Sequence, residues 1–186
     1  MKLNIHPLPI ADVKLIRTSR VADARGYFCE AYARSDFAAN GLDHDFVQDN
    51  ESSSDRAGTV RGLHFQRPPF AQAKLVRVLR GKIIDVVVDL RRSSPSFGEH
   101  LAVELSEDGG EQLLVPIGFA HGFCTLEPRT IVLYKVDAVY SPAHDQGINW
   151  ADPALAIKWP VAPNDATLSD KDRKLPMLRD LLPVFE

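Results

Sequence analysis

The sequence predicts an all-β domain, a sandwich or barrel with only a few short helical turns. Two observations carry that expectation. Short runs rich in β-branched and aromatic residues recur along the chain, broken by turn residues at Arg80-Gly81, Ser94-Pro95, Asp108-Gly109-Gly110, Pro116, Glu127-Pro128 and Ser141-Pro142; such spacing marks many short strands. Stretches with a helical period are almost missing between them, which argues against a parallel sheet wound with helices.

In chain order, strands are expected at residues 13–18, 27–32, 46–52, 60–65, 74–79, 83–90, 100–105, 112–115, 119–126 and 130–140. Between the second and third, residues 35–40 read as one or two helical turns, with Ser35 as N-cap and Gly41 just past the end. Arg80-Gly81 reads as a tight hairpin turn between two long strands. Beyond Pro142 the chain is rich in Pro and Asp, and isolated turns such as residues 169–174 are expected to pack on the barrel. The 186 residues suit one domain, divided into N-terminal strands to about residue 50, a core barrel from about 60 to 140, and C-terminal turns over 141–186.

Composition narrows the function. A net charge of −3 leaves no basic footprint for nucleic acid over the whole chain. No run approaches the roughly 20 apolar residues of a membrane span, and MKLNIHPLPI lacks the apolar stretch of a signal peptide, so the cytoplasm is the expected compartment. Cys29 and Cys124 sit in apolar strand-like runs and read as small buried hydrophobes. RGLHFQ holds one histidine and no HxH pair, so no metal is expected.

Period-two alternation assigns faces. Lys74 shares its face with Val76 and Val78, Tyr134 with Val132 and Val136, and His121 with Phe119 and Phe123. Ionisable groups among valines and phenylalanines cost free energy unless they are paired or used. The inward face of a partly open barrel, polar near its mouth, accounts for all three. His64 goes with Val60 and Gly62, so Arg61 should point the other way unless Gly62 bends the strand.

These groups suit proton transfer. His64 can accept and return protons at neutral pH, Lys74 can face a developing oxyanion, and Tyr134 offers a phenolic proton. Taken singly, each also reads as a packed or snorkelling strand residue. Arg25, Glu30, Gln48, Asn50 and Arg61 form a polar set on the early strands, with arginines suited to phosphate. Asp172 stands three residues after Ser169, a helix-capping spacing, and is also a candidate for orienting a catalytic imidazole; Asp85, in an apolar strand, is a second.

Taken together, RGLHFQ, AQAKLVRVLRG, IIDVVVDLR, SPSFGEH, VPIGFAHGF, VLYKV, YSP and LSDKD resemble the dTDP-4-dehydrorhamnose 3,5-epimerases, the RmlC family, from about Val13 to Asp172. The resemblance implies a cupin-type jelly-roll barrel working as a homodimer through its N-terminal strands, without metal or other cofactor. It implies epimerisation at C3 and C5 of a dTDP-4-keto-6-deoxyhexose. His64 would be the general base, Tyr134 the general acid, Asp172 the carboxylate paired with the base, and Lys74 the lysine near the reacting sugar. Arg25, Glu30, Gln48, Asp49, Asn50, Arg61, His121 and Lys171 would bind substrate, as would Asp145 where many members have Glu. Either Tyr140 or Phe28 would stack on thymine. A C3-only or C5-only relative, or a non-catalytic nucleotide-sugar-binding cupin, would share most of these residues.

Overall fold

Residues 2–186 are described by the structure, a computed structural model. The chain runs β1 (Leu3–His6), β2 (Lys14–Thr18), β3 (Val21–Asp23), β4 (Gly26–Phe28), α1 (Arg34–Ala39), β5 (Gln48–Ser54), β6 (Val60–Gln66), β7 (Lys74–Arg80) and β8 (Lys82–Asp89). It continues through β9 (His100–Ser106), β10 (Glu111–Val115), β11 (Phe119–Thr125), β12 (Thr130–Val136), β13 (Asp145–Gly147) and α2 (Asp170–Arg173) to a 3₁₀ turn at Leu178–Asp180. Six strands form one antiparallel sheet in the order β1-β2-β10-β7-β12-β5, and five form a second in the order β13-β6-β11-β8-β9. The two stack as a cupin-type jelly roll. β1, β2 and β5 lie in the six-stranded sheet, so the barrel draws on the first fifty residues as well as on 60–140. Strands β3 and β4 pair only with each other and stand apart. No helix among the described residues is long and apolar enough to cross a membrane.

Alternation decides what lies between the sheets. Val76, Val78 and Val132 from the six-stranded sheet meet Ile83, Val87, Phe119 and Phe123 from the other in an apolar core. The outer face of the five-stranded sheet is covered by the C-terminal segment, where Ile148, Leu155 and Phe185 pack on Leu63, Phe65, Val86 and Val88. Helix α1 covers part of the other outer face, with Phe37 against Ile16, Leu75 and Leu114. Strand β11 is therefore buried on both faces throughout.

Several expectations change. Arg80-Gly81 is not a hairpin: β7 and β8 belong to different sheets, so the chain turns a corner between layers there. The run 130–140 stops being strand at Val136, and 27–32 is strand only to Phe28. Helix α1 begins one residue early, with Ala33 rather than Ser35 at its N-cap and no side-chain cap. Ser169 does cap α2, accepting from the N–H of Asp172. Cys124 is buried, but Cys29 is only partly covered and its sulfur meets Thr18 Oγ1 at 2.9 Å.

The expected conflict between Arg61 and His64 is resolved by a bulge. His64 lies opposite His121 on β11, yet Arg61 lies opposite Phe123, so β6 holds one extra residue over this span. The extra residue lets Arg61 and His64 share the inner face while Leu63 and Phe65 point outward. Gly62 makes this possible. Its φ is +126°, and a Cβ there would stand 2.6 Å from Gly122 Cα and 2.9 Å from the His121 carbonyl oxygen. Gly62→Ala is therefore expected to destabilise the fold by on the order of 3 kcal/mol, read as a lower urea midpoint with little change in slope.

Candidate active site

At the polar end of the barrel a cavity of about 440 Å³ opens between the sheets. A second lobe of about 210 Å³ adjoins it. His64, Lys74 and Tyr134 line both lobes, so the junction of the two is where their chemistry meets. His64 comes from β6 of one sheet, Lys74 and Tyr134 from neighbouring β7 and β12 of the other. The imidazole and the phenol thus approach the junction from facing walls.

His64 is held by the C-terminal segment. Its Nε2 lies 2.6 Å from Asp172 Oδ1, and the Gly62 N–H donates to the other carboxylate oxygen at 3.4 Å. Burial opposes ionisation of Asp172, but the hydrogen bond and charge of His64, with the Gly62 N–H and the Ser169 side chain, outweigh it and hold the carboxyl below its ordinary range. A carboxylate on Nε2 leaves Nδ1 as the nitrogen free to take a proton. Asp172 therefore sits in the α2 cap and also orients the histidine; the Ser169 hydroxyl does the capping.

The second carboxylate candidate has its own partner. Asp85 Oδ1 lies 2.6 Å from Nε2 of the buried His121. His64 and His121 are cross-strand neighbours, so two imidazoles with separate carboxylates stand side by side on one rung. Lys74 is buried and donates to the His64 carbonyl at 3.3 Å. Burial pulls its ammonium down to about 8; the charges of Asp85 and Asp145 oppose that fall, and Lys171 adds to it. Burial raises the Tyr134 phenol, with Arg61 opposing and Asp145 assisting, so its proton is held at neutral pH. The set comprises an oriented base, a protonated phenol and a buried cation around one space, which suits moving a proton at a carbon next to a carbonyl.

The other expected residues divide into three groups. Arg61, His121 and Lys171 line the larger lobe. Gln48, Asn50, Tyr140 and Asp145 line the smaller, where the Tyr140 hydroxyl donates to Asp145 at 2.8 Å and Lys171 pairs with the same carboxylate. Four are not in either lobe. Asp49 points outward on β5 and pairs with Lys135, because alternation that turns Gln48 and Asn50 inward must turn Asp49 out. Arg25, Phe28 and Glu30 belong to the β3–β4 ribbon and the segment after it; Arg25 is exposed and pairs with Asp23, and Phe28 is 70% exposed. Ser52, Gln66, Gln72 and Thr167 also line the cavity. Period-two extension from Asn50 points to Ser52, and Gln66 closes RGLHFQ; Thr167 has no comparable signal. Among the described residues no three His, Cys, Asp or Glu side chains converge as metal ligands.

A jelly roll whose cavity sets a carboxylate-bound histidine across from a tyrosine, with a buried lysine alongside, defines an acid–base enzyme of the cupin class. The chain belongs to the dTDP-4-dehydrorhamnose 3,5-epimerase family, whose model matches residues 7–180. It is 51% identical to the dTDP-4-dehydrorhamnose 3,5-epimerase of Sinorhizobium fredii, over all of this chain and 94% of that one. It resembles the crystal structure of the Bacillus anthracis enzyme with TDP and PPi bound, at a TM-score of 0.92 and 51% identity, covering 95% of this chain and 99% of that one. The Legionella pneumophila RmlC structure in complex with dTDP-4-keto-L-rhamnose aligns over both whole chains at a TM-score of 0.93 and 37% identity.

The depressed lysine has a thermodynamic consequence. Unfolded Lys74 binds its proton up to its ordinary value of 10.5, folded Lys74 only to about 8. The fold thus carries a charging cost that is complete below pH 8 and vanishes above 10.5. At about 1.4 kcal/mol per tenfold change in proton affinity, this is on the order of 3 kcal/mol. Lys74→Met is expected to be more stable than the native protein at pH 7, with the difference closing toward pH 10, in urea titrations at both values.

Proposed function

We propose that this protein inverts C3 and C5 of dTDP-4-dehydro-6-deoxy-D-glucose to give dTDP-4-dehydro-L-rhamnose, the epimerisation step of L-rhamnose biosynthesis, in the cytoplasm. The observation that carries the reading is the placement of His64, with Nε2 committed to Asp172, and Tyr134 on facing walls of one cavity. The C4 ketone acidifies the hydrogens on both neighbouring carbons. His64 Nδ1 removes one of them, and the electron pair moves into an enolate whose oxygen carries the charge. Lys74 stabilises that oxyanion as an ammonium. Tyr134 delivers its proton to the opposite face of the same carbon and the centre inverts. The proton on His64 and the tyrosinate then exchange with solvent before the second carbon is presented. Positioned acid–base groups of this kind contribute about 10²–10⁴-fold each.

Substrate contacts follow from the lobes. Arg61 and Lys171 provide cationic groups for the diphosphate and His121 a donor beside the sugar. Tyr140 is the aromatic at the smaller lobe for stacking on thymine. The whole chain is one epimerase domain, and its working unit is a homodimer in which about the first fifty residues meet the partner. The β3–β4 ribbon supports this reading. An isolated two-stranded hairpin is marginal in water, and this one exposes Val21, Tyr27 and Phe28. A second copy would cover those side chains and receive Arg25, Phe28 and Glu30 at its own cavity.

Isotope labelling, active-site variants and protomer mixing test the proposal. In deuterated water, substrate and product should gain deuterium at both C3 and C5; one labelled position indicates a C3-only or C5-only epimerase, and none a binding protein. His64→Ala should abolish exchange and turnover, and Tyr134→Phe should lower turnover by at least about 10²-fold while dTDP binding persists. Mixing inactive His64→Ala with inactive Arg25→Ala protomers should restore part of the activity, because one hybrid site is intact. Full activity of a sedimenting monomer would remove the shared site.

A further inference from the structure

Asp85 is an ionisable group that the acid–base reading leaves without a full role. It sits in the middle of β8, fully buried, with Phe123 and Val103 as its cross-strand neighbours. A carboxylate in such apolar surroundings is costly unless both its oxygens and its charge are compensated. One oxygen is satisfied by His121. The other, Oδ2, is buried and has no hydrogen-bond partner. The hydrogen bond to His121 therefore accounts for only half of the group.

We propose that Asp85 is a positioning residue for the reaction: one oxygen fixes the His121 ring, and the charge serves as counter-ion to the Lys74 ammonium. The groups around Lys74 favour Asp85 for this task. From β6 come Arg61 and His64, from β11 His121, from β12 Tyr134, and from α2 Lys171 and Asp172; β13 contributes Asp145. Asp137, just past β12, is taken by the Ala73 N–H and by His44. Asp172 is committed to His64, and Asp145 to Tyr140 and Lys171. Of these four carboxylates Asp85 is the one with a buried oxygen that no hydrogen bond satisfies, and its influence on Lys74 exceeds that of Asp145. An ammonium buried at the cavity floor loses its proton easily, and a neutral amine does not stabilise an enolate. Asp85 thus sets the upper pH at which Lys74 can act.

The inference rests on the reading of Lys74 as the oxyanion partner, and the test separates the two. Asp85→Asn keeps an acceptor for His121 and removes the charge. The Nζ resonance of Lys74 in lysine-labelled protein, assigned by its loss in Lys74→Arg, reports protonation without turnover. Its titration midpoint, near 8 in the native protein, is expected to fall by about one pH unit or more, a tenfold loss of proton affinity. The alkaline limb of the kcat/KM profile should move with it, so activity drops further at alkaline than at acidic pH. An unchanged midpoint in a folded Asp85→Asn protein overturns the counter-ion role. A lowered midpoint with an unmoved alkaline limb keeps that role and removes Lys74 from the chemistry. Should Asp85→Asn be too unstable to purify, the same change in a Lys74→Met background is expected to fold, since no cation then needs the charge; failure of that rescue also overturns the proposal.

Discussion

The close approach of β6 to β11 at Gly62 and Gly122 is the constraint on which the site depends. A Cβ on either glycine would collide with the opposite backbone: one on Gly122 would lie 2.5 Å from the Arg61 carbonyl oxygen. Because neither strand carries a side chain there, the bulge can form, and the inner face gains Arg61 in addition to His64. The same Gly62 offers its N–H to Asp172. One backbone irregularity thus turns His64 inward, adds a cation near it, and helps anchor the carboxylate that holds its ring. Bulges commonly sit beside active sites for this kind of re-aiming.

The barrel separates support from chemistry along its length. At one end valines and phenylalanines from both sheets fill the space. At the other the same alternation presents Lys74, His121 and Tyr134, each a strand continuation of that apolar stripe. The rigidity of the packed end holds the polar groups in place, because successive residues on one face of a strand cannot move independently. Burial then tunes them: it lowers the Lys74 ammonium and raises the Tyr134 phenol. Those directions separate two groups whose ordinary values, 10.5 and 10.0, are nearly equal: the lysine falls to about 8 while the phenol rises and keeps its proton at neutral pH.

Much of this was legible in the residues because period two is a strong signal on long strands. β7, β11 and β12 carry valine and phenylalanine on alternate positions, and the ionisable exceptions on those faces are cavity residues. Short elements were not legible. β1, β3 and β13 have four residues or fewer, too few for a period to stand out. The Arg80-Gly81 turn misled because a glycine with positive φ serves a corner between sheets as readily as a hairpin, and only tertiary pairing distinguishes them. Asp49 was drawn in with its neighbours Gln48 and Asn50, although alternation alone places it on the other face. Asp172 and Asp85 could not be divided between the two histidines from sequence, since the partners are set by long-range register. The ribbon carrying Arg25 and Phe28 lines neither lobe of the cavity.

The contact between His64 and Asp172 joins positions separated by 108 residues. Asp172 stands on a four-residue helix in the segment that wraps the finished barrel. Almost every strand can therefore be paired before His64 acquires its carboxylate. During synthesis on the ribosome, β6 emerges early and its histidine remains unoriented until α2 has been released and docks. The His64–Asp172 contact thus arrives late, separate in time from the formation of the sheets.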